Sequence, residues 1–231
     1  MHVEREFEPP PGRNTFFVYE WPVRVWHWLN ALAIVVLAAT GYYISNPFWP
    51  NPPGDASLHF VLGYVRFTHF AAGQLFAIGL LGRFYWAFAG NRHAHQMFFL
   101  PLTDRAWWRG VWLQLRWYLF LEREPLRYLG HNPLAQLEMV ILFTIPAFFM
   151  ALTGFALYSE GEGVDSWHDR LFGWVIPPLG GSQEVHSLHH LGMWVLGCFA
   201  LLHVYIAIRE EILSRQTVLP SMITGHRTFR E

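Results

Sequence analysis

Four long apolar stretches constrain this chain more than any other feature of its sequence. They cover about residues 23–44, 64–88, 134–157 and 186–208. Each is long enough for a helix that crosses a bilayer core of about 30 Å, which takes about 20 residues. Inside lipid the backbone must satisfy its own hydrogen bonds, so each stretch is predicted to be a helix. The sequence therefore predicts an all-α fold: one integral membrane four-helix bundle over residues 1–231.

The composition is typical of a membrane protein. Charged residues make up only 14% of the chain, whereas a soluble domain has about 25%. Aromatic residues make up 18%, with 12 Trp, which suits belts at the two membrane surfaces. There is no basic stripe of the kind that binds nucleic acid. The single cysteine, Cys198, excludes an internal disulfide and a C-x-x-C metal or redox site.

The arginines predict how the helices are oriented. The N-terminal tail, the loop between the second and third stretches and the C-terminal tail together hold 13 of the 16 arginines. Because cytoplasmic loops are enriched in basic residues, these three segments and both termini are predicted to lie on the cytoplasmic side of a bacterial inner membrane. The arginine-rich loop contains a dense apolar segment, residues 107–120, which is predicted to be an amphipathic helix at the membrane surface. A short fifth span is the alternative.

Histidines inside the apolar stretches are the strongest functional signal, because ionisable residues within a membrane are costly and usually functional. His189 and His203 are fourteen residues apart. A helix advances about 100° and 1.5 Å per residue, so the two share one face about 21 Å apart along the axis. His186 and His190 fall off that face, where we expect them at the interface or at a cofactor edge.

Two histidines at opposite membrane depths need two partners. His27 lies at the inner start of the first stretch, level with His203, and His69 lies at the outer side of the second, level with His189. Paired imidazoles across a helical bundle are natural axial ligands of a six-coordinate haem. Zinc competes, but it takes four ligands, and no site in the sequence gathers four donors. We therefore predict two haem b groups held between helices, non-covalently because no C-x-x-C-H occurs.

The remaining histidines fall in tails and loops. There we expect solvated side chains: His2, His59, His93, His95, His131, His168 and His226.

An arginine precedes two of the four ligand candidates by three residues, in R-V-W-H and R-F-T-H. Arg24 and Arg66 would lie on the same face as the histidine and one turn nearer the membrane surface. A guanidinium in that place can pair with a haem propionate. The alternative, an ordinary cytoplasmic-side arginine, suits Arg24 better than Arg66. Gly73 and Gly192 follow the outer histidines, and they could leave room for a macrocycle or let two helices pack closely.

The first and third stretches end alike, in T-G-Y-Y-I-S from Thr40 and T-G-F-A-L-Y-S from Thr153. Both motifs are predicted to lie at the outer side. This similarity indicates either a duplicated helix pair or shared interface chemistry, and the sequence leaves both explanations open.

A resemblance to a known family becomes specific at these motifs. The chain resembles the b-type cytochrome subunit of membrane-bound nickel–iron hydrogenases in R-V-W-H-W-L, L-A-A-T-G, H-S-L-H-H-L-G-M-W and F-A-L-L-H. Similar stretches, among them G-H-N-P-L-A-Q, run through about residues 17–225. The histidines that match the haem positions of the family are His27, His69, His189 and His203.

The resemblance implies an electron-transfer subunit without a hydrogenase active site of its own. The iron–sulfur small subunit and the large catalytic subunit would sit on the outer face, and electrons from H2 would reach a membrane quinone near the inner haem. Two alternatives stay open. One is the cytochrome b subunit of formate dehydrogenase or of another respiratory oxidoreductase, although the G-H-N-P and L-Y-S-E stretches favour the hydrogenase branch. The other is a haem-free membrane protein whose histidines relay protons.

Overall fold

The structure is a computed structural model that describes residues 7–47, 60–124 and 126–230. In this part of the chain the secondary structure consists of helices and one two-stranded sheet. The long helices are α1 (Trp21–Ser45), α2 (Val61–Ala89), α3 (Arg105–Tyr118), α5 (Ile145–Glu162) and α7 (Ser182–Leu213). The shorter elements are β1 (Thr15–Phe17), α4 (Pro133–Glu138), α6 (Trp167–Phe172), α8 (Ser221–Thr224) and β2 (His226–Thr228).

Among the described helices, three are long and apolar enough to cross a membrane. They are α1, α7 and the continuous 30-residue helix Pro133–Glu162, in which α4 leads into α5. These helices contain the first, third and fourth predicted spans. The second predicted span lies in α2, which has 29 residues, but Arg66, His69 and Arg83 make α2 less apolar. The helical membrane fold is thus confirmed, while the count of four spans stays a prediction.

The helix Pro133–Glu162 contains one irregular turn. Pro133 stands at the start of α4, where its missing N–H costs no hydrogen bond. Between α4 and α5, residues Met139–Thr144 form a π-helical segment, and the N–H of Ile145 bonds to the carbonyl oxygen of Val140, five residues earlier. A π-helical turn holds one residue more than an α-helical turn. A residue in α5 that shares a face with a residue in α4 is therefore one position further along the chain than in a regular α-helix.

The helix predicted over residues 107–120 is confirmed as α3, shifted two residues towards the N-terminus. Asp104 caps it by accepting a hydrogen bond from the N–H of Ala106 at 2.7 Å. Its buried residues recur every three or four positions, as on one helix face: Trp107, Gly110, Gln114 and Trp117. The location of α3 at a membrane surface stays a prediction.

The chain divides into two compact units. The first unit comprises Met1–His27, Gly82–Ile145 and Phe199–Glu231, and the second comprises Trp28–Leu81 and Pro146–Cys198. Helices α1, α2 and α7 contribute residues to both. The single domain expected over residues 1–231 stays a prediction.

The first unit joins the two ends of the chain. β1 pairs antiparallel with β2, and Thr15 lies opposite Thr228. Arg227 donates hydrogen bonds to the carbonyl oxygens of Tyr128 at 3.0 Å and Gly130 at 2.6 Å, which attaches β2 to the segment before α4. The apolar cluster of this region consists of Val18, Tyr19, Val23, Ala94, Leu129 and Phe229.

Candidate functional site

The structure brings the four ligand candidates together as two pairs. In the first unit the ring centroids of His27 and His203 lie 6.3 Å apart, and in the second unit those of His69 and His189 lie 6.4 Å apart. All four residues are partly buried. These are the two pairs that helix spacing and depth predicted from the sequence.

Both separations fit one metal ion between two imidazole rings. A metal–nitrogen bond of about 2 Å on each side, and about 1 Å from each nitrogen to its ring centre, place two ring centroids about 6 Å apart. Two nitrogens on opposite sides of one metal are the arrangement of a haem with two axial histidines. Zinc fits less well, because among the described residues no three His, Cys, Asp or Glu side chains gather into a metal-binding group.

Each histidine of the pair in the second unit contacts a threonine hydroxyl. Thr40 Oγ1 lies 2.9 Å from His69 Nδ1, and Thr153 Oγ1 lies 2.8 Å from His189 Nδ1. Both hydroxyls also donate to the carbonyl oxygen four residues earlier in their own helix, at 2.6 Å for Thr40 and 2.8 Å for Thr153. The threonines therefore connect α1 to the ring on α2, and α5 to the ring on α7.

The glycine after each threonine lets the histidine ring approach the helix. A Cβ atom at Gly41 would lie 3.2 Å from His69 Cε1, and one at Gly154 would lie 3.3 Å from His189 Cε1. A larger residue at either place would push the ring away. Each copy of the repeated T-G motif thus contacts one histidine of the pair. Sequence reasoning noticed the repeat but missed its role, because the sequence does not show which side chain the motif faces.

A large cavity surrounds the histidine pair of the second unit. Its volume is about 980 Å³, at the upper end of the roughly 300–1,000 Å³ usual for small-molecule and cofactor sites. The residues that line it include both rings of the pair and the glycines near them: His69, His189, Gly41, Gly73 and Gly154. The cavity therefore adjoins the gap between the two imidazoles.

The two glycines predicted beside the outer histidines have different roles. A Cβ at Gly73 would meet only Leu37, at 3.9 Å, so this glycine keeps space open in the cavity. A Cβ at Gly192 would collide with the side chain of Met150, so Gly192 allows close packing of α7 on α5. Of the two roles considered from the sequence, open space is found at Gly73 and close helix packing at Gly192.

His186 and His190 line the same cavity but have other partners. Trp194 donates its indole N–H to His190 Nε2 at 3.1 Å. His186 Nδ1 lies 2.9 Å from the carbonyl oxygen of Ser182, to which it donates. Neither ring belongs to the pair that contains His69, in agreement with their predicted place off the ligand face.

The two arginines predicted near haem propionates differ in their surroundings. Arg24 donates through Nη1 to the carbonyl oxygen of Ile223, which ties α1 to the C-terminal segment. Arg66 is exposed and lines the cavity, with its guanidinium carbon 5.9 Å from the ring centroid of Phe70. Arg66 is therefore placed to meet a carboxylate at the edge of the cavity, while Arg24 shares its guanidinium with a protein carbonyl. A propionate contact stays a prediction for both.

Aromatic rings surround the histidine pair of the first unit. Phe199 stacks on His203 with ring centroids 5.4 Å apart and an interplanar angle of 24°. Phe143 in turn contacts Phe199 at 5.2 Å and Trp26 at 6.1 Å. The orientation of His203 is therefore set at least in part by packing.

Two loop histidines that were expected to be solvated are buried, so that prediction is wrong for them. His93 is 5% exposed and His168 is 7% exposed. The backbone N–H of His93 bonds to Asn91 Oδ1 at 3.0 Å, and the His168 ring lies edge-on to Tyr158 at 5.0 Å. Both loops fold back onto their own unit, which residue type alone does not reveal.

His131 was also expected to be solvated and is only partly exposed. Its Nδ1 lies 3.3 Å from Gln96 Oε1. Burial above all, together with the positive charge of nearby Arg227, lowers the pKa of His131 to about 3, so the ring is neutral at physiological pH. His2 and His59, expected at the surface, lie outside the described residues.

The sequence model of the prokaryotic cytochrome b561 family matches residues 18–225. The chain belongs to this family. The resemblance inferred from the motifs is thereby confirmed, and the family supports haem b as the cofactor.

Several similar proteins carry the name "Probable Ni/Fe-hydrogenase B-type cytochrome subunit". One from Azotobacter vinelandii is 53% identical over 237 residues, which cover 100% of this chain and 98% of the relative. One from Cupriavidus necator is 55% identical over 215 residues, 93% of this chain and 88% of the relative. A protein of Escherichia coli K12 named "Probable Ni/Fe-hydrogenase 1 B-type cytochrome subunit" is 44% identical over 219 residues, 93% and 91% of the two chains.

Proposed function

We propose that this cytochrome is the membrane electron-transfer subunit of a nickel–iron hydrogenase. It would receive electrons that originate from H2 from the iron–sulfur small subunit and deliver them to a membrane quinone. It would hold two non-covalent haem b groups, one at His27 and His203 and one at His69 and His189. The observation that supports this proposal most strongly is the near-equal spacing of the two pairs, 6.3 and 6.4 Å between ring centroids.

Haem b, when bound at each pair, supplies an iron that takes up and releases one electron. The residues of the chain would bind it, orient it and exclude water. The four histidines would bind the iron through ring nitrogens. Thr40 and Thr153 hold two of the rings, and Phe199 holds a third. The fourteen-residue spacing of His189 and His203 on one helix supports a path in two steps.

The relatives favour the hydrogenase branch over formate dehydrogenase. Each quoted relative is named as a cytochrome subunit of a Ni/Fe-hydrogenase, at 44–55% identity over at least 93% of this chain. A haem-free proton relay is not favoured, because a relay requires neither two matched imidazole pairs nor membership of a cytochrome family.

The docking surface for the iron–sulfur subunit is proposed to be the segment from Glu160 to Glu184, which includes the end of α5 and the start of α7. This segment has five acidic residues and exposes two large indoles, Trp167 at 62% and Trp174 at 63%. Glu160 at its start accepts a hydrogen bond from the hydroxyl of Ser182 at 2.8 Å, which ties the two ends of the segment together. Aromatic residues are enriched at protein interfaces. Both chain termini are proposed to lie on the opposite, cytoplasmic side, where quinone would meet the pair of His27 and His203.

The decisive experiment is haem analysis of the purified chain. Pyridine haemochrome assay should give two haem b per chain, and acid–acetone should extract all of it. A fully loaded preparation with one haem, or haem that stays on the chain, would contradict the proposal. Cross-linking from Trp167 should capture an iron–sulfur subunit of hydrogenase. Capture of a formate dehydrogenase subunit would support the alternative branch, and capture only from the arginine-rich loop would reverse the topology.

A further inference from the structure

We propose that Thr40 and Thr153 are positioning residues that fix the tautomer and the orientation of His69 and His189, the histidine pair of the second unit. Each hydroxyl would accept a hydrogen bond from Nδ1–H, which leaves Nε2 of His69 and His189 as the nitrogen that binds iron. This inference rests on the proposed function and extends it to residues outside the ligand set.

The first step follows from the single proton of a threonine hydroxyl. Thr40 Oγ1 lies 2.6 Å from the carbonyl oxygen of Val36. Two oxygens so close need a hydrogen between them, and a carbonyl oxygen only accepts. The hydroxyl proton of Thr40 therefore lies in the hydrogen bond to the carbonyl oxygen of Val36. The 2.9 Å contact between Thr40 Oγ1 and His69 Nδ1 can then be a hydrogen bond only if Nδ1 is the donor.

The same reasoning applies to the second threonine. Thr153 Oγ1 donates to the carbonyl oxygen of Phe149 at 2.8 Å and has a further carbonyl acceptor, Met150, at 3.4 Å. Its 2.8 Å contact with His189 Nδ1 again requires a proton on Nδ1. The two threonines thus act alike, although they lie on different helices.

The tautomer determines which nitrogen can bind a metal. A neutral imidazole carries one N–H, so a ring with Nδ1–H has its lone pair on Nε2. The Nδ1–Cε1 edge of His69 faces Gly41, where a Cβ would lie 3.2 Å from Cε1 and 3.7 Å from Nδ1. This edge is therefore occupied by α1. The Thr-Gly dipeptide provides the acceptor and the space for the ring together.

Such a hydrogen bond has measurable consequences for a metal site. Partners of the second ring nitrogen orient metal-binding histidines, and their loss typically lowers metal affinity about 10- to 100-fold. Thr40→Val and Thr153→Val keep the branched shape but remove the hydroxyl acceptor beside a partly buried Nδ1–H. We expect at least a 10-fold faster loss of the second-unit haem to apomyoglobin in the double variant, with smaller losses in the single variants.

A merely structural role would not change the electronic properties of the haem. The EPR spectrum of the oxidised protein depends on the angle between the two imidazole planes, here 73° for His69 and His189. The midpoint potential depends on the polarity around the ligands. In Thr40→Val and Thr153→Val, the EPR spectrum and the midpoint potential should change for the second-unit haem and remain unchanged for the first-unit haem. In Thr40→Ser and Thr153→Ser, both should return to the wild-type values.

The matched controls are Thr68→Val and Thr144→Val. Thr68 precedes His69 and donates to the carbonyl of Tyr64 at 2.8 Å, and Thr144 is buried and donates to the carbonyl of Met97 at 3.0 Å. Both variants should keep the wild-type spectrum. The first-unit haem reports folding in every sample.

The outcomes separate the two proposals. If the wild-type chain holds no haem at the pair of His69 and His189, the proposed function fails. If the wild-type chain holds both haems, and the double valine variant keeps the wild-type EPR spectrum, potential and haem loss rate, only the positioning role is overturned. The positioning role is also overturned if the serine variants fail to restore the signals, or if the control variants change them equally.

Discussion

The two histidine pairs of this cytochrome have nearly the same spacing but different surroundings. In the second unit, Thr40 and Thr153 bond to the rings of the pair, beside a cavity of about 980 Å³. In the first unit, Phe199 stacks on His203 and is in turn supported by Phe143. The two pairs thus differ in the contacts described for them, hydrogen bonds to threonine in the second unit and an aromatic stack on His203 in the first.

The difference suggests that the two sites should respond to different substitutions. A hydrogen bond fixes which nitrogen carries the proton as well as the direction of the ring. An aromatic stack restricts the plane of the ring but leaves its protonation pattern to other partners. Substitutions that test this contrast should therefore act on one pair and spare the other.

The largest effects are expected from two separate variants, each of which removes one histidine of one pair. His203→Ala should abolish the haem of the first unit and spare that of the second, which H2 should still reduce through the hydrogenase, while quinone reduction collapses. His69→Ala should abolish the haem of the second unit, so that dithionite but not H2 reduces the remaining one. Haem content per chain and reduced-minus-oxidised spectra under each reductant measure both outcomes.

His190→Ala is the control for these variants. Its ring accepts a hydrogen bond from Trp194 and is not paired with His69, so the variant should keep two haems. Loss of a haem in His190→Ala, but not in His189→Ala, would mean that the pairing in the second unit is wrong by one residue.

A smaller effect is expected from Phe199→Leu in the first unit. An aromatic contact contributes about 0.5–1.5 kcal/mol beyond burial, so the rate of haem loss from the pair of His27 and His203 should rise about 2- to 10-fold. The second-unit haem should be unchanged. Phe172→Leu is the matched control, because Phe172 stacks on Phe155 at 4.9 Å and on no histidine of either pair. An equal response of both haems to Phe199→Leu would remove the contrast between the units.

The smallest effect is expected from Arg66→Gln. Arg66 is exposed, and exposed ion pairs contribute about 0.2–1 kcal/mol, so its loss should weaken haem retention in the second unit by at most about 5-fold. The midpoint potential of that haem should fall, because a nearby positive charge stabilises the reduced state. Arg170→Gln, another exposed arginine of the second unit, should change neither quantity. A response confined to the first-unit haem would argue against Arg66 as a propionate partner.

The histidine pairs could be predicted from the sequence because they depend on the geometry of single helices. The fourteen residues between His189 and His203 fix their shared face, and the depths of His27 and His69 follow from the ends of the apolar stretches. Each step uses only the rise and rotation of one helix. The amphipathic face of α3 could be predicted for the same reason.

The supporting contacts could not be predicted because they depend on how helices meet. Whether Thr40 faces His69 depends on how α1 is rotated relative to α2 and on the distance between them. The residue pattern of a single helix reveals neither quantity. Whether a glycine packs against a neighbour or lines a cavity is decided in the same way, as Gly192 and Gly73 illustrate. The burial of His93 depends on a loop that folds back, which a periodic pattern does not encode.

The π-helical segment Met139–Thr144 has a consequence for insertions and deletions in this family. A π-helical turn takes up one extra residue, so deleting one residue of this segment would give an unbroken α-helix whose faces beyond the segment keep their direction. Thr153 would then still face His189. Deleting one residue of α5 between this segment and Thr153 would instead turn Thr153 by about 100° away from His189, whereas Thr40 and His69 would keep their contact. The π-helical turn is therefore the place in this helix where the chain can lose a residue without losing a threonine contact.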